Sequence, residues 1–555
     1  MKKNFLLILF LVSLLPVSAK ERSKQEMLQI AAQIIHQKST RSQTVPLAIL
    51  YETDMLSVIG AERGGFAVVA SDDAFSPIVG YGDGLFIPQD GNSLSWFIEE
   101  VSLSMKGQLA AGKIPHTPQM VDASKFKPAQ EPLLTSTWNQ NSPFNDLCPK
   151  SSDRGDYPSG CVATALSQIM YYHKYPETGK GQKQYSFKPA SGVGELLSAN
   201  FEETTYDWDH MIDDYVKGHY TEEEGIAVAT LMFHCGVAVE MNYTPSGSGA
   251  YSSEARSGLI NHFRYHPHIG ILHRNYYSQE EWMNIVYTEL NEERPIYYAG
   301  SDKNQGGHAF VIDGYDESGL VHVNWGWGTT GGNGYFDIAL LNPRGYEFSS
   351  GQEMLVGIAR PEANITYESH LVSDAPMSVG KIGSMLNVSP GTSIWNLNGD
   401  GWEGLLGVVL KGKGQTYVLA SKEVKKTANR YNVLLKIDGT LGGLQKLPVG
   451  IEDGEYRLFI GSKDEYDTDW SLVRRSEGNA NSYLLTIENG TLTNLTADSS
   501  DTWPRTITAV HTISSNQNVQ KRRQIYDLNG RFVGWNKNSL PKGIYIINGE
   551  KVVIR

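Results

Sequence analysis

Cysteine is scarce in this sequence, and several kinds of segment are missing altogether. The 555 residues include three cysteines, Cys148, Cys161 and Cys235, so a disulfide framework is excluded and at least one thiol is free. Acidic residues outnumber basic ones by 61 to 48, which gives a net charge of −13. No part of the sequence forms a basic stripe, and both features argue against a nucleic-acid partner. No cluster of cysteine and histidine has the spacing of metal ligands, so neither a metal nor another cofactor is expected.

The one long apolar run stands at the N-terminus. Lys2 and Lys3 precede the apolar residues Phe5 to Leu15, and Val17–Ala19 gives the small-residue pattern that signal peptidase cleaves. The run is shorter than the ~20 apolar residues that a membrane-spanning helix needs, and no other stretch approaches that length. The sequence therefore predicts a signal peptide and a secreted or cell-surface protein without a transmembrane segment.

In the rest of the chain, the pattern of predicted helices and strands changes twice. A helical pattern over 21–38, with a capping box of Ser23 and Glu26, is followed by short alternating runs typical of an antiparallel sheet, a second helical pattern and a polar linker. From 131 to 360, helical patterns mix with strands rich in glycine and tryptophan. Beyond 361, short strands with Asn-Gly and Asp-Gly turns indicate a β-sandwich.

The segment "NLNGDG", from Asn396 to Gly401, resembles the start of a calcium-binding loop. The twelfth position of such a loop carries a glutamate, whereas this sequence has Gly407 there. We therefore interpret the segment as an ordinary turn.

Each of the three cysteines has a different sequence context. Cys235 lies in an apolar run and is expected to be a buried hydrophobic residue, whereas Cys148 lies in a polar, proline-flanked stretch and could be a surface thiol. Cys161, in "SGCVATALSQIMYYHKYP", begins a helical pattern directly after Gly160. The first turn of a helix favours a thiolate, although a cysteine can also begin a helix simply as a packing residue.

A nucleophilic thiol needs a base, a group that orients the base, and donors for an oxyanion. His308 follows two glycines at the start of an apolar strand, and Asn324 ends the next strand, so a hairpin would bring these two ends together. The alternative is an aromatic hairpin with a core histidine. Gln140 precedes Cys161 and could donate its side-chain amide to an oxyanion beside the backbone N–H of Cys161.

The order Gln, Cys, His, Asn resembles that of the papain-type cysteine proteases. The motifs "WNQNSPFN", "GCVATALSQIMYYHKYP", "GGHAFVIDGYD" and "HVNWGWGTTGGNGYFDI" are similar to those of the streptopain branch, the secreted C10 peptidases of bacteria. The resemblance implies that Cys161 is the nucleophile and His308 its base, and that Gln140 helps to form the oxyanion hole. It also implies that Trp325 and Trp327 wall the histidine side of the site.

The resemblance suggests further roles. Ser248 and Gly249, in the loop "TPSGSGAYSS" from Thr244 to Ser253, would contact the peptide substrate, as would Gly307 and Trp325. In the papain branch an asparagine orients the histidine, whereas the streptopain branch has a tryptophan in that place. Side chains alternate along a strand, so Asn324 and Trp325 cannot both face the histidine.

The resemblance also implies a domain order and an α+β fold. A papain-like catalytic domain would be preceded by an α/β inhibitory prodomain and followed by all-β, β-sandwich C-terminal domains. The C-terminal end resembles the sorting domains of Bacteroidetes proteins exported by the type IX secretion machinery. The expected segments are a signal peptide (1–19), a prodomain (20–130), the catalytic domain (131–360), a β-sandwich (361–490) and a C-terminal β domain with the sorting signal (491–555).

The expected function is that of a secreted cysteine endopeptidase made as a zymogen. It would hydrolyse protein and peptide substrates, act in virulence, be inhibited by its own prodomain, and be activated by a cut between residues 120 and 131. Two alternatives use the same features: a cysteine amidase or transglutaminase, and an adhesin whose β domains bind a host surface. Gln140 and "VNWGWG" disfavour the first, and the pair of Cys161 and His308 disfavours the second.

Overall fold

The computed structural model describes most of the chain. The described residues are 20–38, 46–61, 64–87, 93–111, 117–151, 155–188, 194–302, 306–341, 351–365, 370–391, 393–429, 432–436, 439–476, 478–498, 525–527, 532–534, 542–547 and 550–554. The predicted signal peptide lies outside them. None of the described helices has the length and apolar character needed to cross a membrane.

The N-terminal region is a small antiparallel sheet between two helices. Its elements are α1 (Lys24–Lys38), β1 (Ala48–Glu52), β2 (Leu56–Gly60), β3 (Phe66–Ala70), β4 (Ile78–Gly82) and α2 (Ser93–Ala110). The predicted capping box begins α1, because the backbone N–H of Ser23 donates to the Glu26 carboxylate at 2.7 Å and the N–H of Glu26 donates to Ser23 Oγ at 3.3 Å. Both faces of the sheet are covered, so every residue of β2 and β3 is buried.

The described residues of the central region form four α-helices and ten strands. In chain order they are β5 (Lys150–Ser151), β6 (Gly155–Asp156), α3 (Cys161–His173), β7 (Gln182–Phe187), β8 (Glu195–Asn200), α4 (Glu222–Ala238), α5 (Ser252–Asn261), β9 (Gly270–His273), α6 (Gln279–Asn291), β10 (Ile296–Asp302), β11 (Gly306–Tyr315), β12 (Val321–Asn324), β13 (Gly334–Phe336) and β14 (Glu353–Val356). Short 3-10 helices span Arg274–Tyr276, Gly328–Thr330 and Ile338–Leu341.

One sheet joins the N-terminal and central regions. Its order is β1-β2-β3-β4-β13-β12-β11-β10-β14-β9, so the four N-terminal strands extend the central sheet. The junction is the antiparallel pairing of Tyr335 with Tyr81 and of Phe336 with Gly80. The Tyr81 hydroxyl also donates to Asp316 at 2.7 Å, and its ring stacks on Tyr335 with centroids 5.2 Å apart. The small antiparallel sheet expected in the prodomain segment is therefore continuous with the sheet of the central region.

The two faces of this sheet carry different helices. Alternate residues of β10 and β11, such as Tyr297 and Val311, pack into a core with α3, α4 and α5. The residues between them, such as Tyr298 and Phe310, pack into a second core with α2 and α6. Successive side chains on β11 therefore point in turn to the α3 face and to the α2 face of the sheet.

The polar segment expected as a linker runs beside the hairpin of β11 and β12. Gln130 and Tyr315 exchange two backbone hydrogen bonds of 2.9 Å, and the N–H of Val121 donates to the carbonyl of Glu317 at 3.3 Å. Between these anchors, Asp122 to Lys125 form an exposed turn. The segment is thus open to solvent, as expected, but its two ends are bound to the central region.

An all-β region follows, as the sequence predicts. Its strands are β15 (Leu371–Ser373), β16 (Ser378–Ile382), β17 (Met385–Ser389), β18 (Ser393–Asn396), β19 (Gly404–Gly412), β20 (Gln415–Val424), β21 (Val433–Lys436), β22 (Gly443–Lys446), β23 (Gly454–Lys463), β24 (Ser471–Leu472), β25 (Arg474–Arg475), β26 (Ser482–Glu488) and β27 (Thr491–Asp498), with a 3-10 turn at Gly439–Leu441. Among the described residues, one hydrophobic core is surrounded by three sheets, with the orders β21-β18-β15-β25, β16-β17-β22 and β20-β19-β23-β26-β27, where β24 also pairs with β23. The boundary expected at 490/491 falls between the paired strands β26 and β27, and the compact unit continues to Trp503.

The C-terminal unit, Pro504–Arg555, is a separate compact unit. Its described strands are β28 (Ile525–Asp527), β29 (Phe532–Gly534), β30 (Gly543–Ile547) and β31 (Glu550–Ile554), which form one antiparallel sheet in the order β29-β28-β30-β31.

Candidate active site

Cys161 is the first residue of α3, where the sequence predicts it. Gly160 before it has φ 95°, a conformation that residues with a side chain rarely adopt. A Cβ on Gly160 would also lie 2.7 Å from Met241 Sδ and 3.0 Å from the carbonyl oxygen of Ser248. The tight turn therefore requires glycine, and it brings the loop around Ser248 against the start of the helix.

The Cys161 thiol is buried, and only 9 % of the residue is exposed. Burial raises the pKa of this thiol, while hydrogen bonds from the backbone N–H groups of Ala309, Val162 and Cys161 itself act in the opposite direction. Burial has the larger effect, because a thiolate loses its hydration in an apolar site. The low pKa expected for a helix N-terminus is thus not found in this uncleaved form of the chain.

His308 lies near the start of β11, where it pairs with Gly300 on β10. Its ring packs against Trp96 of α2, with ring centroids 5.6 Å apart. A Cβ on Gly300 would lie 2.5 Å from the Trp96 ring, so the indole also covers the neighbouring strand. Gly307, expected to contact substrate, is exposed. Sequence reasoning missed Trp96, because nothing local in a helix of the N-terminal region indicates a partner so far along the chain.

Two more contacts connect α2 with the tryptophan motif. The indole N–H of Trp327 donates to Ser93 Oγ at 3.0 Å, and the ring of Phe97 lies 5.5 Å from that of Trp325. The beginning of α2 therefore covers His308 and contacts both tryptophans that were expected to wall the histidine side.

The expected hairpin of β11 and β12 forms, but Asn324 pairs with Val311 rather than with His308. The Asn324 amide donates to the carbonyl of Ser136 at 2.8 Å and to Gln168 Oε1 at 3.1 Å, on the α3 face of the sheet. Trp325 lies on the opposite face, with its ring 4.8 Å from that of Phe310. The structure therefore commits the Asn324 side chain to α3 and does not bring it to the His308 ring, which lies against α2.

Gln168 is a site residue that sequence reasoning missed. It lies two turns after Cys161 on α3 and is fully buried. Its Oε1 accepts from Ser136 Oγ at 3.0 Å and from the backbone N–H of Trp138 at 3.2 Å, in addition to Asn324. A long polar side chain within a largely apolar helix was the available signal. Gln168 thereby connects α3, the segment before Gln140 and the end of β12.

Gln140 is buried, with 6 % of the residue exposed. Its backbone carbonyl accepts the N–H of Ser159 at 3.0 Å, so its segment runs beside the residues that lead into Cys161. The role of its side chain as an oxyanion donor remains a prediction.

Gln140→Ala is expected to lower kcat about a hundredfold with little change in KM, because an oxyanion donor acts mainly in the transition state. Steady-state kinetics on a fluorogenic peptide would measure both constants. Asn139→Ala, next to it in the chain, serves as the control. An effect confined to KM would instead make Gln140 a substrate-binding residue.

The loop from Thr244 to Ser253 packs against the turn that precedes Cys161. The Ser248 hydroxyl is buried and donates to the carbonyl of Pro158 at 2.7 Å. Gly249 exchanges backbone hydrogen bonds of 3.0 and 3.2 Å with Asn242. The structure therefore brings the expected substrate loop next to the turn before Cys161, and the Ser248 side chain holds it there.

The other two thiols are both buried. Cys235 is fully buried, as predicted, and burial raises its pKa to about 12. The prediction that Cys148 is a surface thiol is wrong: the residue is 3 % exposed, and burial raises its pKa to about 12. Its flanking polar residues form turns that face outward, while its Sγ packs 3.9 Å from the Tyr243 hydroxyl.

Comparison with known proteins identifies relatives of this chain. The model of the Peptidase C10 family matches residues 138–336. Streptopain of Streptococcus pyogenes is 33% identical over 304 residues, which cover 52% of this chain and 74% of streptopain. The thiol protease/hemagglutinin PrtT of Porphyromonas gingivalis is 33% identical over 324 residues, or 55% of this chain, and the chain spans only 36% of PrtT.

Among solved structures, a fragment of prointerpain A from Prevotella intermedia superimposes with a TM-score of 0.53 and 40% sequence identity, covering 57% of this chain and 98% of that fragment. The predicted α+β, papain-like fold class is thereby confirmed. The chain belongs to the Peptidase C10 family of cysteine peptidases.

Proposed function

We propose that the chain is a secreted cysteine endopeptidase, made as a zymogen, in which Cys161 and His308 cleave peptide bonds. The observation that carries this proposal is that Cys161, at the start of α3, packs in one buried core with Ala309, the residue that follows His308 on β11. This packing places the start of the nucleophile helix beside the strand of the proposed base, although the two lie far apart in the sequence.

In the proposed reaction, His308 takes the proton of the Cys161 thiol and the thiolate attacks the peptide carbonyl carbon. The resulting oxyanion is stabilised by the backbone N–H of Cys161 and the side-chain amide of Gln140. The intermediate collapses to a thioester, and the leaving amine departs with the proton held by His308. Water, deprotonated by His308, then hydrolyses the thioester and restores the thiol.

The contacts of α2 support the zymogen part of the proposal. Trp96 covers the His308 ring and Ser93 binds Trp327, so the N-terminal region occupies the histidine side of the site. A cut in the exposed turn from Asp122 to Lys125 would separate this region from the rest of the chain. The inhibitor is thus proposed to be the chain's own segment of residues 20–130.

The test is hydrolysis of casein by the purified protein, with and without a thiol-directed epoxide. Epoxide-sensitive release of peptides is expected after activation. An amidase or transglutaminase would instead release ammonia from side-chain amides without cutting the chain, and an adhesin would do neither. Either of these results would overturn the proposal.

Export is proposed to use the signal peptide of residues 1–19 and the C-terminal unit as a sorting signal for the type IX machinery. The support is the resemblance of the C-terminal sequence to such signals, together with the separate compact unit that follows Trp503. Residues 1–19 lie outside the described part of the chain.

Deletion of residues from Ile525 to Arg555 is expected to trap active peptidase in the periplasm, because the candidate catalytic residues belong to the other unit. Cell fractionation with a peptidase assay would measure this, and deletion of Lys551 to Arg555 alone gives a graded comparison. Normal amounts of the enzyme outside the cell would contradict a sorting role. Insoluble protein would indicate that the strands close a sheet and that their loss exposes an edge.

A further inference from the structure

The turn from Asn396 to Gly401, between β18 and β19, holds an arginine side chain where its sequence resembles a calcium-binding loop. Asn396 shapes the turn: its Oδ1 accepts the N–H of Asn398 at 3.1 Å, and its Nδ2 donates to the carbonyl of Asp400 at 2.6 Å. Nη1 of Arg256 donates to the carbonyl of Asn398 at 3.1 Å and to the Asp400 carboxylate. The turn thus binds a cation that belongs to the catalytic region.

Arg256 lies on α5 and is only 6 % exposed. Its Nε donates to the carbonyl of Ile269 at 2.6 Å, so the guanidinium spans from the β9 side of the central region to the all-β region. A guanidinium stays charged at any ordinary pH, and a buried charge is costly unless it is paired. The turn supplies that pairing, which fixes α5 against the all-β region.

The first turn of α5 connects this anchor to the active site. Ser252, at the end of the substrate loop, donates to the hydroxyl of the buried Tyr297 at 3.3 Å. Burial raises the pKa of the Tyr297 hydroxyl, and the nearby Cys161 raises it further. Ser253 packs against the turn itself, since a Cβ on Gly399 would lie 3.4 Å from Ser253 Cβ.

We propose that the turn from Asn396 to Gly401 positions the substrate loop, Thr244 to Ser253, through Arg256, so that the all-β region sets the affinity for peptide substrates. The inference rests on the proposed function, and on the expectation from the family resemblance that this loop contacts the peptide. Arg256 and Asp400 are positioning residues. The all-β region then contributes to substrate binding in the mature enzyme.

A second arginine at the same interface provides a matched control. Arg474 of β25 forms two hydrogen bonds, of 3.1 and 3.3 Å, with the Glu281 carboxylate of α6 and lies 4.2 Å from the Tyr277 ring centroid. This pair joins the all-β region to the other face of the central sheet, where α6 packs with α2. Loss of the Arg474–Glu281 pair should weaken the interface without changing the position of the substrate loop.

The test compares Asp400→Ala with Arg474→Ala in the full chain. Asp400 is half exposed, and without it the carbonyls of Ile269 and Asn398 still accept hydrogen bonds from the Arg256 guanidinium, so the fold should stay intact. We expect Asp400→Ala to speed amide hydrogen exchange in residues 244–253 and, after activation, to raise KM for a peptide about tenfold with kcat within about twofold, an affinity change near 1.4 kcal/mol. Asp400→Asn, which keeps an oxygen acceptor, should restore part of the affinity, and Arg474→Ala should change neither reading.

Unchanged exchange in the loop of Asp400→Ala would overturn the inference, as would an equal effect of Arg474→Ala, which would show general loosening of the interface. Exchange does not depend on peptidase activity. A wild-type protein that cleaves no peptide would therefore refute the proposed function, while the exchange comparison would still decide whether the turn positions the loop.

Discussion

Replacement of Cys161 by alanine is expected to abolish peptide hydrolysis. The alanine has no sulfur to form the thioester, so only substrate positioning and the oxyanion hole remain, and the loss should be roughly 10⁶-fold in kcat. Casein hydrolysis and a fluorogenic peptide would measure it. If maturation is autocatalytic, the variant should also remain uncut.

Cys235→Ala and Cys148→Ser are the matched controls, because both thiols are buried and neither lies at a helix N-terminus. These variants should lose stability rather than activity per folded molecule. Full casein cleavage by Cys161→Ala, or a comparable loss of activity in either control, would remove Cys161 from the reaction.

His308→Ala is expected to lower kcat/KM by roughly 10⁴-fold or more, as the loss of a catalytic base does in other proteases. In the activated enzyme, an imidazolium beside the thiolate should keep the pKa of Cys161 far below the ~8.5 of a free thiol. At pH 6.5 a free thiol is only about 1% thiolate, so alkylation of the activated enzyme should be about a hundredfold faster than that of a free thiol. The variant should lose this advantage.

The uncleaved chain should behave in the opposite way. There burial raises the pKa of Cys161, so the thiolate appears only at higher pH and alkylation at neutral pH should be slower than that of a free cysteine. His322→Ala, on the neighbouring strand, is the control for a general effect of losing a histidine. The assignment of His308 fails if the activated enzyme follows an ordinary thiol titration that His308→Ala leaves unchanged.

The sequence predicted the local parts of the site well, because each has a signal within a few residues. Gly160 before Cys161 marks a tight turn at a helix start, and the two glycines before His308 mark the beginning of an apolar strand. The capping box of Ser23 and Glu26 likewise placed α1. Such features depend on backbone conformation and capping, which neighbouring residues determine.

Features that depend on contacts between distant segments could not be predicted in this way. Trp96 contacts His308, and Arg256 contacts Asp400, only because the N-terminal, central and all-β regions pack against one another. The prediction for Cys148 failed for the same reason, since its polar neighbours say nothing of the core that covers the sulfur. The strand and the hairpin that hold Asn324 form as predicted. Whether its side chain faces His308 or α3 depends on Gln168, which lies on another element.

Because the N-terminal and central regions share one sheet, cleavage of the chain and loss of inhibition should be two separate events. A cut between Asp122 and Lys125 leaves β4 hydrogen-bonded to β13 and Tyr81 bonded to Asp316, so the severed piece remains a non-covalent subunit. Loss of latency should then lag behind appearance of the cut, with a first-order delay that is independent of enzyme concentration. When β4 departs, β13 becomes an open sheet edge, and an enzyme that has just become active also becomes prone to pair with another strand.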